Sequence, residues 1–158
     1  MKALFEVVIL PVSEPDRSLR FDRDQVGFDL DVDYAPTPEF RVIQLTPEGA
    51  STSIQFGVGL TDAPAGSMRG LYLVVPDIEV CRRELIDRRV DVGEIRHKDA
   101  GRDGWRGGFL PGLDPGRADY ASFADFRDPD GNAWVLQERG PADPIIDRCP
   151  QRRPSWCT

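Results

Sequence analysis

A chain of 158 residues, 40% hydrophobic and 30% charged, has the size and composition of one globular domain, large enough to bury most of its apolar surface without disulfides or metal as staples. A formal charge of -7 and the lack of any Lys/Arg stripe with interleaved aromatics argue against nucleic acid as a partner. No stretch approaches the roughly 20 apolar residues of a membrane span, so a cytosolic protein is the default expectation.

The apolar run from Ala3 to Val12 is short and interrupted by Glu6, and Phe5 to Val12 reads as a buried strand. Ser13-Glu14-Pro15-Asp16 then offers a hydroxyl cap, an early helical proline and acids suited to the positive helix end. A helix is expected to about Gln25, ended by Gly27 in a left-handed conformation. Three strand candidates follow, Phe28 to Asp33, Glu39 to Thr46 and Thr52 to Val58, separated by Pro36, Pro38 and the Pro47-Glu48-Gly49 turn.

The pattern then begins again. Gly70 to Val75 reads as a strand, Pro76-Asp77 as a cap, and Ile78, Cys81 and Leu85 form an apolar stripe at helical spacing. Asp91 to His97, Tyr120 to Phe126 and Asn132 to Glu138 are the next strands, with Asp128-Pro129-Asp130-Gly131 turning between the last two. Val12, Glu14, Asp16 and Ser18 align with Val75, Asp77, Glu79 and Cys81 at one constant offset, which supports a duplicated unit. The reading is an α+β domain over 1–139 made of two βαβββ modules, about 4–60 and 69–139, followed by a Pro- and Arg-containing tail, 140–158. The segment from Lys98 to Asp119 is long for a loop in a compact domain, and it is either a lid over a site or a surface excursion pinned by Trp105. Cys81 is expected as core filler, and Cys149 and Cys157, in the tail, carry no assigned chemistry.

Laid out this way, Leu10-Pro11-Val12-Ser13 leading to Leu19-Arg20-Phe21, then Gln25-Val26-Gly27-Phe28, and above all Phe126-Arg127-Asp128-Pro129-Asp130-Gly131-Asn132, give a chain that resembles the vicinal oxygen chelate superfamily. That group includes glyoxalase I, extradiol dioxygenases, fosfomycin resistance enzymes and the bleomycin resistance protein. The likeness departs at Phe21-Asp22, where the family often has Phe-Tyr. It implies a curved mixed sheet with a concave cup, helices outside, and, in many members, a homodimer with cups at or near the interface. It also implies that metal-binding members draw ligands from four inward-facing positions, which fall here on Val7, Gln55, Leu71 and Val135.

A catalytic divalent ion needs about three His, Glu or Asp donors, and three of those four side chains are aliphatic. The expectation is therefore a metal-free, cofactor-free protein that binds a small hydrophobic or aromatic molecule in the cup. The alternative is a metal-dependent lyase, isomerase or dioxygenase of the same superfamily. Gln55 is the one polar group of the four, able to hydrogen-bond a ligand or to satisfy itself on backbone or water. His97, the only histidine, is expected at a strand end, either solvated or lining the cup mouth. Trp105 and Tyr120 border the long loop as stacking surface, Gln137 on the last strand completes the expected ligand-binding set with Val7, Gln55, Leu71 and Val135, and Trp134 is expected to turn outward into the core.

Overall fold

The computed structural model describes residues 2–99 and 107–139. Two sheets form the frame. Module 1 contributes β1 (Val7–Ile9), β2 (Asp29–Thr37), β3 (Phe40–Thr46) and β4 (Ser53–Val58), in the order β1-β4-β3-β2, with β1 parallel to β4 and the remaining pairs antiparallel. Module 2 contributes β5 (Leu71–Val75), β6 (Arg96–Lys98), β7 (Phe109–Pro111), β8 (Ser122–Arg127) and β9 (Ala133–Glu138), in the order β5-β9-β8-β6-β7, with β5 parallel to β9. The duplicated βαβββ order is therefore present, with β7 added in module 2 inside the segment that the sequence reads as a loop.

Each module has one helix, α1 (Pro15–Arg20) and α2 (Ile78–Asp87). Asp77 caps α2 by accepting from the backbone N–H groups of Glu79 and Val80. The expected hydroxyl cap of α1 is not made. Glu14 stands at its N-cap without a side-chain bond, because the Ser13 hydroxyl donates instead to Asp130 of the other module. The chain continues from α1 into one wide turn, Phe21–Val26, whose π-type geometry ends where the Gly27 N–H reaches back five residues to the Asp22 carbonyl. Gly27 then takes the left-handed conformation expected of it, at φ 94°.

Alternation along the strands sorts side chains into a helix-covered face and an open face. Ile43, Leu45, Ile54 and Phe56 lie under α1, almost wholly buried, and each such side chain contributes roughly 1.5–3 kcal/mol of transfer free energy. In module 2 the covered face carries Phe126, Trp134 and Leu136 against Ile78 and Leu85 of α2. The two covered faces share one core: Phe28 meets Trp134 edge-on at 5.8 Å, Phe126 stacks on Trp134 at 5.9 Å, and Phe21 approaches Phe126 at 6.4 Å. Trp134 thus belongs to the core, as alternation requires.

The Asp128–Asn132 turn joins the modules. Asn132 is fully buried; its amide nitrogen donates to the carbonyl of Pro11 (3.0 Å) and to Asp128 (2.7 Å), and its oxygen accepts from the Met68 N–H (2.9 Å). Asp128 accepts from the backbone N–H groups of Asp130, Gly131 and Asn132. Gly66, in the connection between modules, packs so closely that a β-carbon would sit 1.9 Å from the Asp130 carbonyl oxygen. Among the described residues, no helix is long and apolar enough to cross a membrane.

Several strand bounds differ from the sequence reading. β1 is only three residues long, with Phe5 lying 70% exposed before it. β2 runs on to Thr37, through Pro36, which an edge strand tolerates. The expected strand from Asp91 is reduced to an isolated bridge between Val92 and Phe126, with β6 beginning only at Arg96.

Candidate functional site

The open faces carry the site candidates. On module 1 the cross-strand neighbours Val7 and Ser53, Ile9 and Gln55, and Gln44 and Gln55 share the face that α1 does not cover. A run of polar groups crosses it. The Thr46 hydroxyl donates to Asp31 (2.5 Å) and lies 2.7 Å from the Ser53 hydroxyl, while the Gln44 amide nitrogen approaches Ser53 (3.3 Å) and Asp31 (3.4 Å). Gln55 closes the run by donating to the Gln44 carbonyl at 2.7 Å. Sequence reasoning found Gln55 but missed its partners. Their signal was the polar alternation of Gln44 and Thr46 on β3 and of Ser53 and Gln55 on β4, readable once the register of the two strands is known.

On module 2 the open face carries Tyr72, Val74, Val135 and Gln137, paired across β5 and β9. Tyr72 is 57% exposed, and the Gln137 amide donates to the Tyr120 carbonyl. Farther across, Phe109 lies edge-on over buried Phe123 at 5.6 Å, with Arg96 and Lys98 over its ring at 4.5 and 4.2 Å. Arg96 also makes a two-point ion pair with Asp125.

Val7, Gln55, Val135 and Gln137 stand on open faces. Leu71 does not: its Cα partner is Trp134, and its side chain packs against the shared core, so Tyr72 takes the open position beside Val135. His97 is likewise corrected. Alternation sends Arg96 and Lys98 to the open side and turns the imidazole inward, where it is buried and Nδ1 bonds the Gly112 carbonyl at 2.9 Å. Tyr120 lies just before β8 in a left-handed conformation, its ring near Arg139, and contributes to the open face through its backbone carbonyl. Trp105 lies outside the described residues.

At the four family positions, with Tyr72 replacing Leu71, the side chains are two valines, one neutral amide and one phenol. This donor set does not fit a catalytic divalent ion. Among the described residues no group of three or more His, Cys, Asp or Glu is arranged to hold a metal ion.

Among the described residues, two clefts are large enough for a small molecule. The larger, about 600 Å³, lies between the edges of β1 and β5 and is walled mainly by Val8, Ile54, Leu71, Leu73 and Trp134, with Phe5 at its lip. The second, about 530 Å³, lies over module 2 beside Asp125, Arg127, Ala133 and Val135. Gln55 lines neither, and Val135 lines only the second.

No family model matches the chain, and no curated protein matches it. Solved structures do. A glyoxalase/bleomycin resistance protein from Streptomyces sp. CB03234 is 30% identical over 85% of this chain and 99% of its own, with a TM-score of 0.62. The chain belongs to the glyoxalase/bleomycin resistance family. TnmS3, an antibiotic binding protein from the same Streptomyces strain, is 29% identical over 87% of this chain and 97% of its own, with a TM-score of 0.66. A member of the glyoxalase/bleomycin resistance protein/dioxygenase superfamily from Sphaerobacter thermophilus shares the fold, with a TM-score of 0.64 at 23% identity over 87% of this chain and 98% of its own. Placement in this family, within the vicinal oxygen chelate superfamily, agrees with the two open sheets and the paired modules.

Proposed function

We propose that this family member is a metal-free binding protein that sequesters a small hydrophobic or aromatic molecule against the open sheet faces, in a cup completed by a second copy of the chain. The observation that carries the reading is the chemistry of those faces: Val7 and Val135 on them, Tyr72 and Phe109 as ring surface, and a few convergent polar groups, the composition of a ligand pocket rather than a hydrolytic or metal centre. The likeness to an antibiotic binding protein supports the same direction. The homodimer is supported by the placement of Gln55 and Val135 on different sheets of one chain and by the exposure of Tyr72, Val74 and Ile9, apolar groups that association would cover. The protein is expected to work without a cofactor and within the cytosol.

Titration of the purified protein with 2-naphthol, followed by intrinsic tryptophan fluorescence, tests this. Saturable 1:1 binding in the micromolar range is expected, weakened about tenfold by Tyr72→Ala with little change in melting temperature. Light scattering is expected to give about twice the chain mass of 17.7 kDa. Absence of saturable binding, or a monomer at every concentration, overturns the shared cup. Elemental analysis that finds one tightly held metal per chain overturns the metal-free reading.

A further inference from the structure

From the direction of the hydrogen bonds on the module 1 open face, we infer that Gln55 presents its carbonyl oxygen to the cup and selects aromatic ligands that carry an O–H or N–H donor. The inference rests on the binding reading above and adds a ligand class and a positioning residue, Asp31.

A carboxylate accepts and does not donate, so Asp31 sets the polarity of every bond that leads to it. The Thr46 hydroxyl has one proton and gives it to Asp31. Its oxygen is then left to accept from Ser53, 2.7 Å away, which fixes the Ser53 proton as well. The Gln44 nitrogen must face Ser53 and Asp31, both now acceptors, and this turns the Gln44 carbonyl toward β4. There it accepts from the Gln55 nitrogen at 2.7 Å. Every bonded proton in the run points toward Asp31, and the far end keeps, beside the second Nε2 hydrogen, an acceptor, the Gln55 Oε1, which receives no bond from any described residue of the chain.

Gln55 is half-buried on the same face as Val7 and Ile9, where a ligand donor opposite Oε1 forms a bond partly shielded from water. A ligand offering only an acceptor at that point meets carbonyl against oxygen, with no proton between them. A site built to bond a donor discriminates strongly against the analogue that lacks it. Asp31 itself does not touch the ligand in this scheme; it acts through Gln44.

The test compares 2-naphthol with 2-methoxynaphthalene, which keeps the rings and the oxygen but has no proton to give. The wild-type protein is expected to bind 2-naphthol at least tenfold more tightly. Gln55→Leu should bring the ratio of the two dissociation constants close to one, while Gln55→Glu, which keeps an acceptor, should preserve the preference. Asp31→Asn should reduce the ratio several-fold and Asp31→Glu restore it, a pattern that a merely structural role for Asp31 would not produce because it is read as a ratio. Equal affinity of the wild-type protein for both compounds overturns this inference and leaves the binding reading intact. Failure to bind either compound overturns both. An unchanged ratio in folded Gln55→Leu, verified by its circular dichroism spectrum, assigns any preference elsewhere and overturns the role of Gln55.

Discussion

The two modules repeat one topology but treat buried acids in opposite ways. In module 2, Asp128 accepts three backbone N–H bonds and one from Asn132, and fully buried Glu138 receives Arg117 and the Ile78 N–H. In module 1, Asp22 is as deeply buried, yet neither of its oxygens finds a donor among the described residues. Burial, and after it the nearby negative charge of Asp128, pushes the Asp22 carboxyl well above the usual carboxylate range. The contrast shows that depth alone does not decide what an acid does. The supply of donors does, and module 2 has them because its turn closes a ring of backbone N–H groups around one carboxylate.

The comparison breaks most sharply at Asn132. Asn132→Ala removes three hydrogen bonds and strands the Met68 N–H, while the Pro11 carbonyl keeps only the Gly66 N–H, so a loss of about 3 kcal/mol in urea unfolding is expected. A loss below about 1 kcal/mol would mean that the seam closes by apolar packing alone.

Next comes Arg117. Arg117→Met leaves Glu138 buried without its cation and is expected to cost about 2–3 kcal/mol, below the full range for a buried pair because a third of the Arg117 side chain meets solvent. Adding Glu138→Gln should recover part of that loss, and a strictly additive double variant would deny the coupling.

The smallest effect sharpens the module 1 side. A carboxyl whose folded-state pKa is raised holds its proton more tightly when folded, so its stabilising contribution is complete below the unfolded value and fades as pH rises through the folded one. Asp22→Asn should therefore match the wild type near pH 3–4 and exceed it by about 1 kcal/mol or more at pH 8. A gap that does not change with pH would show that Asp22 has a partner.

Much of the architecture was legible because local chemistry and global order agree. The Asp128–Gly131 turn, the Asp77 cap and the Gly27 stop each sit where their residue types require a special backbone. The phase of β5 was not legible: Leu71-Tyr72-Leu73-Val74-Val75 is apolar throughout, so either set of alternate positions could face the core, and only pairing with Trp134 and Leu136 decides. His97 misled for a related reason. Charged neighbours suggest a wet strand end, whereas the two cations take the open face over Phe109 and leave the imidazole inside. Strand β7 was hidden in a stretch of glycine and proline, because its pairing with β6 is a long-range fact that propensity does not carry.

The close fit of Gly66 against Asp130 has a practical consequence for anyone who would rebuild the molecule. The connection between the halves is a shim, ground to the thickness of bare backbone, and its own N–H is bonded to the Pro11 carbonyl. Even one methyl group at the joint would wedge the two halves apart, so grafts, tags and longer tethers have to leave it untouched.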